Sequence, residues 1–333
     1  MTKTLSHIVA VALISLLAAA GAAAPRAAAQ EAFPTKAITV WVGFPPGGAT
    51  DILMRALAEG AEKILGQKVV VINKPGAAGA VATAELVKTK PDGYTIICNT
   101  DTPVTRSPHL RDVEYDPFRD LTFINRVGTF KIVLAIRADS PHKTWRDLVE
   151  WAKKNPGQLT FGNPGVATTP ALVMTRIAAK EGFTFRSVPF AGDGPSVSAL
   201  LGGHVVLLGG SSVATSSYVQ AKRMRILLVN DRDGLDYAPE AVSFEKAGYD
   251  VESTTAVITF GPRGMPRPVA ERLANAFNEA AKTETFVNVA RKSEVTVGEP
   301  LTGQALADWL KKAGANYEEL IKEAGLYKGQ KKP

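Results

Sequence analysis

Three short stretches of this chain place small residues between a β-branched run and a helix-like run: Gly47-Gly48-Ala49-Thr50, Gly76-Ala77-Ala78-Gly79 and Gly165-Val166-Ala167-Thr168-Thr169. A helix N-terminus leaves backbone N–H groups without acceptors and carries partial positive charge, and small residues let a ligand oxygen come close. The chemistry on offer is the binding of a small anion. Three carboxylates stand nearby: Asp51, Asp101 after Thr100, and Asp193 in Phe190-Ala191-Gly192-Asp193. A carboxylate in a first helical turn is ordinarily structural and opposes an anion beside it. Its other reading is a contact to a ligand amine or a bridging water, and together the three suit a solute with a donor group as well as a carboxylate. Gly47-Gly48 alone reads as a tight strand-to-helix turn needing positive φ, and within this set of loops as a ligand contact. Thr168 and Thr169 read as helix caps with one hydroxyl left over, and Phe190 as core or as a stacking surface.

Catalytic chemistry has little support. The chain contains no G-x-S-x-G, no G-x-x-x-x-G-K-[ST] and no H-E-x-x-H. His7, His109, His142 and His204 form no pair with metal-ligand spacing, and Cys98, the one cysteine, sits in a strand-like run where a thiol is buried and inert. No enzyme activity, metal or cofactor is expected.

The elements that must position these loops alternate from Ala37 onward. Ile38 to Phe44 reads as a strand, Ile52 to Leu65 as a helix with Leu53, Leu57, Ala61 and Ile64 at helical spacing, and Lys68 to Ile72 as a strand. Pro75 to Gly79 opens a second helix, and Tyr94 to Cys98 is a third strand after the turn Pro91-Asp92-Gly93. This β-α-β-α-β order calls for right-handed crossovers and a parallel sheet. The alternation returns after Ser140, with strands at 159–161, 183–188 and 204–208, and further strands at 225–229 and 256–260. Helices at 268–281, 284–292 and 303–324 then pack back on a lobe already formed. The fold class is α/β with two lobes, each a mainly parallel sheet flanked by helices. Ligands in such folds bind at the carboxyl ends of the strands, where the loops above converge on one cleft.

The first residues stand apart. Lys3, the apolar run Ile8 to Ala20 and Ala27-Ala28-Ala29 before Gln30 read as a secretory signal peptide, residues 1–29, cleaved near Ala29. A membrane anchor fits less well, because the stretch becomes Ala/Gly after Leu17 and lacks a cationic stop-transfer flank. About 300 of the 333 residues remain, enough for two lobes, and the formal charge of +7 falls by two with Lys3 and Arg26. Lys and Arg are spread without a dense basic block, so nucleic acid is not an expected partner. A single cysteine leaves no internal disulfide, so stability must come from burial. The end, Lys328 to Lys332, reads as a disordered tail. Residues 30–130 and 256–333 are assigned to domain I and 131–255 to domain II, with crossings near Thr129 to Val133 and Thr254 to Ile258.

The chain resembles the extracytoplasmic solute-binding receptors of tripartite tricarboxylate transporters, the Bug or TctC-like family. The resemblance rests on ITVWVGFPPGGATD (38–51) followed by Arg55, VVVINKPGAAG (69–79), KPDGYTI (90–96), YDPFRDLTFI (115–124), NPGQLTFGNPG (155–165), VPFAGDGPSVSALLGG (188–203) and GPRGMPRPVAERL (261–273). It implies a periplasmic receptor of type II binding-protein architecture, expected as a monomer, that closes on a small organic carboxylate and delivers it to membrane permease subunits. By position it implies a first loop of Phe44, Gly47, Gly48, Ala49 and Asp51, a second of Ala77, Ala78 and Gly79, and a third of Thr100 and Asp101. Asn163, Gly165, Thr168, Thr169, Phe190 and Asp193 would face them from the other domain. Departures fall at Asp101-Thr102-Pro103, where the family has a Gly-Thr-His-like stretch, at the less serine-rich Gly162 to Thr169 loop, and at Gly209-Gly210-Ser211-Ser212, where an Asp-Asn-like pair is common. They leave the receptor class intact and bear on which acid is bound. A periplasmic sensor signalling to a membrane kinase needs the same closure, and an exported hydrolase would use the same anion loops.

Overall fold

The computed structural model describes residues 33–250 and 255–329. The signal-peptide reading and its cleavage site lie outside the described residues, as do Gln330 to Pro333. Both sheets of the protein lie in one compact unit that begins at Lys36.

The first sheet holds β1 (Ile38–Val42), β2 (Val69–Asn73), β3 (Thr95–Thr100), β4 (Leu121–Phe130) and β11 (Thr255–Pro262) in the order β2-β1-β3-β11-β4. The second holds β5 (Ile132–Arg137), β6 (Leu159–Asn163), β7 (Phe185–Pro189), β8 (Leu207–Ser211), β9 (Met224–Val229) and β10 (Val242–Ser243) in the order β10-β9-β5-β8-β6-β7. β1 pairs parallel with β2 and β3, as the β-α-β-α-β order requires. One strand in each sheet runs against its neighbours: β11 between β3 and β4, and β5 between β8 and β9. Their placement follows from connectivity. β4 ends at Phe130 and, after Lys131 alone, β5 starts in the other sheet. A strand that enters from the rim where the others end must run the opposite way, and β11 repeats this on the return. The fold is a two-lobed α/β architecture with a cleft between the lobes.

Strands covered on both faces read as continuous apolar runs. β5 is an example. Leu134 and Ile136 join a cluster with Trp145, Phe161 and Met174, while Val133 and Ala135 join Val197, Leu200 and Leu208 on the opposite face. In the first lobe Ile97, Phe123, Ile258 and Phe260 pack with Leu306 and Leu310 of the helix Gly303–Glu323. The C-terminal helices do pack back on this lobe: Arg267–Ala280 and Glu284–Lys292 both lie against the helix Ala49–Leu65. The Gly303–Glu323 helix also crosses to the other lobe, where Tyr317 and Ile321 pack on Leu172 of the helix Thr169–Glu181. Lys328, expected in a disordered tail, is held instead: its N–H donates to the His109 carbonyl and its Nζ to Asp112.

Candidate functional site

The strand ends of the two lobes enclose a cleft with about 410 Å³ of empty space, open solvent included. Its walls are Phe44, Ala49, Phe130, Ile132, Pro164 and Pro170, its polar lining Thr50, Thr100, Thr102, Thr168, Thr169, Ser211 and Thr255, with bare backbone at Gly48 and Gly210. Asp193 is the one charged side chain among the described residues that line it. The rims touch. A Cβ at Gly192 would lie 2.8 Å from Pro45 Cδ, and the Thr169 and Thr255 hydroxyls are 2.6 Å apart across the cleft.

Two helices of more than three turns begin here, Ala49–Leu65 and Thr169–Glu181, and neither has a side chain capping its first amides. Gly47 takes φ 78°, a left-handed turn that favours glycine, and Gly48 is the extended N-cap with no side chain to offer. The first intrahelical donor is Ile52 N–H to the Gly48 carbonyl, so the Ala49, Thr50 and Asp51 amides precede the ladder. The cap expected at Thr168 or Thr169 is corrected. Thr168 occupies the N-cap position, but its hydroxyl donates backward to the Gly165 carbonyl at 2.6 Å, and the Thr169 hydroxyl meets Thr255. The helix Trp145–Lys154, which takes no part in the cleft, carries a complete capping box from Thr144 and Asp147. Helix starts without a capping side chain of their own present roughly half a positive charge each, the Ala49 amide bearing on the Asp193 carboxylate, and no Lys, Arg or His lines the cleft among the described residues. Amides and hydroxyls are therefore what the cleft offers to an anion. Thr100 adds a buried hydroxyl with no partner among the described residues.

The three aspartates differ. Asp51, 4% exposed, accepts from the Gly47 N–H at 3.0 Å, Arg55 Nε at 2.9 Å and Asn73 Nδ2 at 2.9 Å. Burial would raise its carboxyl, but those hydrogen bonds and the Arg55 charge hold it below the usual value. Asp101 is fully buried and paired with Arg106, whose guanidinium stacks 4.0 Å over the Tyr317 ring; burial pushes the Asp101 carboxyl up against the pull of that cation. Asp193 is 8% exposed, accepts the Ser211 hydroxyl on Oδ2 at 2.7 Å, and has no hydrogen-bond partner on Oδ1 among the described residues. Burial pushes its carboxyl up, and the Ser211 hydroxyl and the Ala49 and Ser211 amides offset only part of that.

Of the residues named from sequence, Phe44, Gly48, Ala49, Thr100, Thr168, Thr169 and Asp193 line the cleft. Gly47 and Asp51 sit just behind, building the first loop. Ala77, Ala78 and Gly79 form a short 3-10 turn with Ala77 at φ 48° and Ala78 at φ 55°. Their turn meets the opposite rim, with the Ala78 Cβ 3.4 Å from where a Gly165 Cβ would be. Asp101 serves Arg106. Asn163 shapes its own loop, accepting from the Gly165 N–H at 3.1 Å and donating to Ser187 at 3.0 Å. Phe190 packs on the core of the second lobe.

Sequence reasoning missed several contributors. Phe130, Ile132 and Thr255 line the cleft because they end or begin the crossing strands, so the crossings placed near 129–133 and 254–258 were the available signal. Asn99 is a second omission. Its amide donates to the Gly79 carbonyl at 3.2 Å and leaves no room for a Cβ at Gly43 or Gly79, which would fall 2.5 and 2.3 Å from its Nδ2. It thereby fixes the first two loops to each other. Cys98 beside it is buried with its thiol pushed far up by burial, which leaves it inert.

A model of the tripartite tricarboxylate transporter family receptor matches residues 53–326. A Cupriavidus necator protein, described as a UPF0065 protein in the gbd 5′ region, is 34% identical over 311 residues, covering 93% of this chain and 94% of that protein. Among solved structures, the periplasmic binding protein BugD is 25% identical with a TM-score of 0.84, over 89% of this chain and 99% of its own. MatC from Rhodopseudomonas palustris, solved with bound malate, shares the fold at 22% identity and a TM-score of 0.82, over 87% and 100% of the two chains. With its two-lobed fold, uncapped helix starts and family match, the chain belongs to the tripartite tricarboxylate transporter receptor family.

Proposed function

We propose that this protein is an extracytoplasmic receptor that captures a small carboxylate between its lobes and, as a single chain, hands it to the permease of a tripartite transporter. The observation that carries the reading is the pair of uncapped helix starts, Gly48 to Thr50 and Thr168 to Thr169, facing one another across an apolar-walled cleft without a basic side chain. Such a site prefers an anion small enough to touch both rims. Closure is then stabilised by contacts that exist only when both lobes hold the solute. The malate in the MatC structure is of this chemical class. The Lys3, Ile8 to Ala20 and Ala27-Ala28-Ala29 pattern supports export to the periplasm.

A thermal-shift screen of the purified protein against small carboxylates tests the reading. A ligand at one hundred times its dissociation constant adds roughly 2.7 kcal/mol of stability, a readable shift. Response to a carboxylate is expected; response only to sugars or inorganic cations would contradict it.

A further inference from the structure

The Asp193 carboxylate is more than nine-tenths buried, lines the cleft and leaves Oδ1 without a hydrogen-bond partner. Every group bearing on it is a neutral hydroxyl or amide. The other two buried aspartates of the loops each have an arginine, Arg55 for Asp51 and Arg106 for Asp101. Gly210 lies beside that oxygen, where an added Cβ would come within 3.3 Å of Oδ1 and crowd it. A buried carboxylate oxygen without a partner is costly, and at a binding site that cost is recovered when a ligand supplies the missing donor.

We propose that Asp193 receives an ammonium group of the solute, so that the receptor's ligand is an amino-carboxylate and not a plain carboxylate. This rests on the carboxylate reading above. The two ends of a zwitterion match the two features of the cleft: its carboxylate meets the uncapped helix starts, and its ammonium meets Asp193 Oδ1. A deaminated acid of the same skeleton leaves Oδ1 unpartnered and brings like charge toward it. Discrimination by a buried, otherwise unpaired acceptor is steep, because the wrong ligand loses a charge-assisted hydrogen bond.

The test uses matched pairs with wild type and Asp193→Asn: aspartate with succinate, glutamate with glutarate, β-alanine with propionate, and phenylalanine with 3-phenylpropionate, read by thermal shift and then calorimetry. In the pair that responds, the amino member is expected to bind at least about tenfold more tightly. Asp193→Asn, which keeps an acceptor for the Ser211 hydroxyl, is expected to erase that preference by weakening the amino member and, with the like charge gone, tightening the deaminated one. Equal or tighter binding of the deaminated member, or a preference that survives Asp193→Asn, overturns the assignment of Asp193 while leaving the carboxylate receptor standing. Failure of both members of every pair, with putrescine binding instead, overturns the receptor reading and this inference together.

Discussion

Asp51 and Asp193 occupy first turns of helices that meet across the cleft, yet the fold uses them in opposite ways. Asp51 is satisfied within its own lobe. Gly47, Arg55 and Asn73 all donate to it, so its charge holds the left-handed turn that bares the Ala49 helix start. Asp193 has one hydroxyl, from Ser211, and an idle oxygen. The same residue type therefore shapes a helix start on one side and, in the proposal above, keeps a buried oxygen for the solute on the other. What separates them is the arginine one turn along, present at Arg55 and without a counterpart for Asp193.

The largest effect that would sharpen this contrast is on stability. Asp51→Ala removes the shared acceptor of three donors and is expected to cost about 2–4 kcal/mol, measured by urea unfolding. A loss below about 0.5 kcal/mol would break the claim that Asp51 is architectural. Asp193→Asn is expected to shift the ligand-free protein the other way, by about +1 kcal/mol, because it removes a buried charge without a cationic partner. Destabilisation by that substitution would remove the contrast.

Acid should separate the two further. The Asp51 carboxyl is depressed in the folded protein, so its stabilisation is present above the unfolded value near about 3.9 and is lost as pH falls through the lower folded one. The Asp193 carboxyl is raised, so its penalty applies above the folded value and is gone below the unfolded one. The gain from Asp193→Asn should therefore shrink between pH 7 and about pH 4, seen by unfolding at stepped pH. A gain that grows on acidification would contradict the assignment. The smallest effect is expected at His204, exposed on a turn away from the cleft lining, where Ala should change stability by no more than about 0.5 kcal/mol.

Much of this site was legible in the residues because glycine and helix-start chemistry are local. Gly47-Gly48 between a β-branched run and a helical run could be read directly, and so could the two-lobe alternation. The fates of the aspartates could not. Asn73 reaches Asp51 from the next strand, and Ser211 reaches Asp193 from a strand end 18 residues away, so sequence distance hides both partners. The hydroxyl of Thr168 illustrates a local competition that pattern reading misassigns: it fits a cap, and the Gly165 carbonyl takes it first. No local pattern marks Arg106, which the fold buries against Asp101 and Tyr317.

In the proposed function a small carboxylate binds at the Gly48 to Thr50 helix start. Gly48 is extended, so a larger residue keeps the backbone, while its side chain points toward Asp193 across the cleft, the nearest Asp193 atom being 3.9 Å from a modest Cβ. Calorimetric titration of the carboxylate found by the screen into wild type, Gly48→Val and His204→Ala tests this most directly. At least a tenfold loss, about 1.4 kcal/mol, is expected in Gly48→Val with His204→Ala unchanged; equal affinity in all three proteins would contradict the site.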